Sequence, residues 1–113
     1  METYRLVGKI AVPETDLLKW GRWLDKADRR VARDVVGGVL VSTVFLGMDH
    51  GWGEGPPILF ETMAFEDEDT AREIETFRYS TWDEAEKGHA ELVRKYREIA
   101  EAATLRTEPS RRE

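Results

Sequence analysis

The sequence predicts an α+β two-layer sandwich, with an antiparallel sheet of four to five strands and two helices packed on it. Three observations carry this. Val39–Leu46 (VLVSTVFL) and Ile58–Phe65 (ILFETMAF) are dense in β-formers, with apolar or small residues on both faces. Gly37-Gly38 joins the first run to an earlier β-branched one, and two glycines can both take positive φ without steric cost. Ala85, His89, Leu92, Tyr96, Ile99 and Ala103 recur at helical spacing over the last part of the chain.

In chain order, Tyr4–Val12 alternates loosely and reads as a single strand, closed by Pro13 and suited to a sheet edge. Glu14–Lys26 takes a helical period through Leu17, Trp20, Leu24 and Ala27, with Thr15 or Asp16 as its cap. Arg29–Val36 fits a helix extension or a strand. The glycine pair decides for a hairpin, Arg29–Val36 with Val39–Gly47, which makes Val39–Leu46 the central strand. Gly47–Pro57 is a glycine- and proline-rich loop, and Pro56-Pro57 fits the entry to the strand Ile58–Phe65. Glu66–Glu75 reads as a charged insertion with one helical turn over Thr70–Glu73, and Thr76–Tyr79 as a short edge strand. Thr81 with Glu84 is a capping box opening the long helix. Inside it, Gly88 sacrifices about 1 kcal/mol of helix propensity, which predicts close approach to a backbone of the sheet. The organisation expected is one α+β domain over residues 1–105 and a frayed polar tail over 106–113.

The chain has 113 residues, enough for one core. Its 41% apolar and 35% charged residues are those of a globular protein with a charged surface. The absence of cysteine excludes disulfides, thiolate nucleophiles and cysteine-based metal sites. A net charge of −6, with arginines interleaved among aspartates, argues against nucleic acid as a partner. No apolar run is long enough to cross a bilayer, and no secretory leader is read at Met1, so a cytoplasmic protein without a membrane partner is expected.

Candidate functional residues are few. Asp49-His50 sits where a strand gives way to the glycine-rich loop, a common place for recognition or proton transfer. The favoured reading has Asp49 holding loop amides while His50 caps a strand or packs on Trp52. His89 reads first as a hydrogen-bonded core histidine. Its alternative is convergence with His50, plus Asp49 or Glu61, in a two-histidine, one-carboxylate metal site. Glu61 is expected to be exposed or paired with an arginine. Trp20 and Trp23 read as core anchors of the first helix, and Trp52 as either tucked or a contact anchor. No catalytic residue, cofactor or metal ligand is assigned.

VSTVFLGMDH (41–50), GPPILFETMAF (55–65), WGRWLDKADRRVA (20–32) and RYSTWDEAEKGHAELV (78–93) resemble, in the same order, a family of small uncharacterised proteins encoded by bacteriophages and prophages. The likeness spans Gly8 to Val93, and this chain departs from it in a more acidic, less glycine-rich stretch over Glu66–Ile74. The resemblance implies an accessory protein made in the cytoplasm of an infected host cell. The leading expectation is a non-enzymatic, homo-oligomeric binding protein that engages a host protein or small ligand, with interference in host defence as one role. Asp49, His50, Trp52, Glu61, His89, Trp20 and Trp23 are the candidate contacts. The alternatives are a small metal-dependent hydrolase using His50, His89 and a carboxylate, and a structural phage component.

Overall fold

A computed structural model describes residues 2–51 and 53–107. The elements are β1 (Tyr4–Val7), β2 (Ile10–Pro13), α1 (Leu17–Lys26), β3 (Arg30–Val36), β4 (Val39–Phe45), β5 (Phe60–Phe65), β6 (Glu73–Tyr79) and α2 (Trp82–Thr107). They form an α+β fold in which β3-β4-β5-β6 make one antiparallel sheet in chain order, and β1-β2 a separate hairpin. The glycine pair reverses the chain as its chemistry allows: Gly37 and Gly38 lie at φ +56° and +85°, and Val36 pairs with Val39 across the turn.

Several boundaries differ from the sequence reading. Tyr4–Val12 is not one strand, because Gly8 at φ +63° folds it into the β1–β2 hairpin with Val7 opposite Ile10. Asp16, not Thr15, caps α1, its carboxylate accepting from the backbone N–H of Leu18 and Lys19 at 3.1 Å each. The turn after β5 is not helical over Thr70–Glu73. Asp67 organises it by accepting from the amides of Asp69 and Thr70, and β6 starts at Glu73. The capping box at α2 is present, with Glu84 N–H on Thr81 Oγ1 and Thr81 N–H on Glu84 Oε1, both at 3.1 Å. The helix runs on through Arg106 to Thr107, so the tail does not begin at 106.

α2 touches all four strands of the larger sheet and covers one of its faces. Val41, Ala64, Leu92, Val93 and Tyr96 form one buried cluster beneath its middle. Tyr4, Phe45, Leu59, Phe60 and Ala85 form the other, where the hairpin meets the sheet. Phe45 and Phe60 join two edge-on contacts, with Trp23 at 5.9 Å and Trp82 at 6.2 Å between ring centroids. α1 rests chiefly on β1 rather than on the four-stranded sheet. The helical stripe ends earlier than its spacing predicts: Ile99 and Ala103 are exposed. Ala100 lies so close to Gly37 that a Cβ there would lie 2.6 Å from the alanine methyl. Gly88 does make room for the sheet, but for a side chain. A Cβ at 88 would collide with the Tyr79 ring, 2.2 Å from its hydroxyl.

The other face of the sheet is covered by no helix among the described residues. Strand register arranges its side chains in three cross-strand rows: Val35–Leu40–Phe65–Glu73, Arg33–Ser42–Met63–Thr76 and Arg30–Val44–Glu61–Arg78.

Candidate functional site

His89 lies 4% exposed on the sheet side of α2, and both its ring nitrogens have partners. Nε2 is 2.7 Å from Asp34 Oδ2 on β3, and Nδ1 is 2.7 Å from Thr43 Oγ1 on β4. Thr43 Oγ1 is in turn 2.6 Å from Thr62 Oγ1 on β5. With the ring neutral every polar atom is satisfied: Nε2–H donates to the carboxylate, Thr43 donates to Nδ1, and Thr62 donates to Thr43. The order carboxylate, imidazole, hydroxyl is that of a nucleophilic triad. Access rules out that use, since Thr43 and Thr62 are fully enclosed between sheet and helix and no acyl group can approach either oxygen. The chain is a satisfied polar core, and the hydrogen-bonded reading of His89 holds.

Of its members, sequence reasoning picked out only His89. The signal was nonetheless present. Thr43 and Thr62 occupy buried parity positions of two strands, and His89 a buried position of the helix, so three polar groups on three apolar stripes each required a hydrogen-bond partner. A second polar contact joins α2 to β6, where Glu75 accepts from Lys95 at 2.8 Å and from the Tyr96 hydroxyl. Those two donors hold the Glu75 carboxyl below its ordinary value, while burial and the carboxylate push the Tyr96 phenol up.

The other candidates disperse. Asp49 accepts from Gly51 N–H at 2.7 Å and Ile58 N–H at 2.8 Å, fastening both ends of its loop. Those two amide hydrogen bonds lower its carboxyl from the usual range. His50 is exposed, and its backbone N–H donates to Ile58 O at 2.9 Å. It therefore sits apart from His89, and no cluster of three His, Asp or Glu that could hold a metal occurs among the described residues. Trp52 lies outside the described residues. Glu61 is paired with Arg78 at 3.0 Å. Trp20 donates its indole N–H to Tyr4 O at 2.9 Å, and Trp23 packs on Phe45, so both tryptophans anchor α1 inward. The outer surface of α1 carries Leu17 and Leu18 instead, 64% and 75% exposed.

One concave feature that the sequence did not disclose is a cavity of about 370 Å³ between the β1–β2 turn, Pro57 and the start of α2. Tyr4, Leu59 and Phe60 form its apolar floor, Trp82 and Ile10 its walls. Lys9 stands over it, with Nζ 5.7 Å from the Trp82 ring centroid, and Ser80 and Thr81 lie at its rim. The Asp49 clasp on Ile58 fixes the chain just after Pro57, so the glycine-rich loop shapes one wall. No family model, no curated protein and no solved structure matches the chain. Function must therefore be argued from the geometry. Chemically, this cavity offers an apolar aromatic surface with one cation, Lys9, and one carboxylate, Asp83, among its lining residues.

Proposed function

We propose that this is a non-enzymatic binding protein that receives a small ligand, or a projecting side chain of a host protein, in the cavity at the start of α2. One contrast supports the reading. The residues with the chemistry of a catalyst are spent on each other: His89 and Thr43 inside the core, and Asp34 at its half-exposed edge. The concave surface at the start of α2 has instead a mainly aromatic and aliphatic lining with Lys9 at its edge. The occupant it suits is a flat or aliphatic group that meets Lys9 at the cavity edge. The resemblance to phage-encoded proteins supplies the setting, the cytoplasm of an infected host.

The test compares wild type with Lys9→Glu in pull-downs from infected host cells, with bound proteins and bound small molecules both read by mass spectrometry. Wild type is expected to retain a partner or ligand that Lys9→Glu loses, with equal melting temperatures. Retention of the same molecule by both proteins removes the cavity from the proposal.

A further inference from the structure

We propose that two copies of this chain pair face to face through the uncovered face of the four-stranded sheet. This surface is separate from the cavity at α2, so either proposal can fail without the other.

The three cross-strand rows supply the argument. Val35, Leu40, Phe65, Met63 and Val44 give the face an apolar centre and one apolar end. Its charges lie mainly toward the two ends, with Arg33 between them in the middle row. Glu73 closes the first row, and the β5–β6 turn beside it brings Glu66, Asp67, Glu68 and Asp69 against one cation, Arg72, which pairs with Glu66 at 3.7 Å. That turn leans back over the face, because Glu68 reaches across β4 to Arg33 at 3.1 Å. The opposite end holds Arg30 and Arg78, with Glu61 engaged by Arg78.

This polarity selects the occupant. A partner of uniform charge would meet one matching end and one repelling end. A second copy, rotated about a two-fold axis along the Arg33–Ser42–Met63–Thr76 row, matches both. Its basic end then lies over the acidic turn, and the partner's Arg78 faces Glu73. On the axis, Ser42, Met63, Thr76 and Arg33 meet their own counterparts, each Arg33 carrying its own Glu68, and Leu40 stacks over the partner's Val44. Size sets the strength. Strand spacings of about 4.8 Å and rises of about 3.3 Å give a flat footprint of roughly 400 Å² per copy, before side-chain relief and the leaning turn are added. Two copies bury on the order of 1,000 Å², the lower edge for a specific interface, so the dimer is expected to dissociate on dilution.

Sedimentation equilibrium tests this. The wild-type mass should rise with concentration from 13.0 kDa toward twice that value. Met63→Glu sets two carboxylates against each other on the axis and should raise the dimer dissociation constant by on the order of 100-fold, with circular dichroism unchanged. The chain has no cysteine, so Ser42→Cys places a single thiol on the axis. A short bis-maleimide should cross-link it efficiently, while Leu18→Cys on α1 should not cross-link. The cross-linking arm decides the matter if Met63→Glu fails to fold. A wild type that stays at 13.0 kDa at every concentration overturns the proposal, and so does a dimer that cross-links through Leu18→Cys but not Ser42→Cys.

Discussion

The same strands β4 and β5 present two surfaces that differ in how they treat polar groups. Beneath α2, Val41, Thr43, Phe45, Phe60, Thr62 and Ala64 are at most 1% exposed, and the two hydroxyls are consumed in the chain to His89. On the other side Leu40, Ser42, Val44, Glu61, Met63 and Phe65 are half-buried, and the charged member is paired at the surface with Arg78. The difference teaches that polarity alone does not locate function here. The buried side holds the reactive residue types in a closed arrangement, whereas the open side holds ordinary residues in an incomplete one. Strands apolar on both faces ask for two covering layers, and the described chain supplies one.

The comparison can be broken hardest at His89. His89→Ala should cost about 3–5 kcal/mol, because it opens a cavity and leaves Thr43 and Asp34 without their partner; thermal or urea unfolding measures it, and a loss below 1 kcal/mol would refute the role assigned to the chain. Next comes the turn that abuts the helix. Gly37→Ala combines a left-handed backbone with a methyl 2.6 Å from Ala100 Cβ and should cost about 2–4 kcal/mol. Thr43→Val orphans the His89 nitrogen and should cost about 1–3 kcal/mol. The double variant Thr43→Val, Thr62→Val should cost less than the sum of the singles, which a double-mutant cycle reads directly.

A pH series sharpens the contrast further. Glu75 and Asp49 have depressed folded-state carboxyls, so their contribution is present above the ordinary carboxylate range and lost as pH falls through the folded values. Tyr96 shifts the opposite way. Its contribution is complete below its ordinary value of 10.0 and fades as pH rises beyond it. Melting temperature should therefore fall at both extremes, and Glu75→Gln should flatten the acid limb. The smallest effect belongs to the outer surface of α1, where Leu17→Gln with Leu18→Gln should move stability by no more than about 0.5 kcal/mol.

How much was legible follows physical lines. The Gly37-Gly38 hairpin, the central strand and the capping box could be read because each rests on local chemistry: backbone freedom, β-branching and orphan amides. The arginine partner of Glu61 and the amide clasp of Asp49 followed from the same logic. Gly8, by contrast, looked like part of an alternating strand, since a lone glycine followed by lysine is a weak turn signal. Asp34 gives no local sign of its partner: its side chain is half exposed, and only tertiary packing aims its carboxylate at α2. The cavity at Trp82 joins residues from three distant segments, and no local pattern announces such a meeting.

A helix laid on a sheet of methyl groups could slip by a turn with little penalty, since one apolar rung resembles the next. Here a shift of about 5.4 Å would carry the imidazole off both its partners. α2 thus has a single berth on the sheet. The course of α2 through Ala100 to Leu105, 70% exposed, is therefore set by a latch three turns upstream of Ala100.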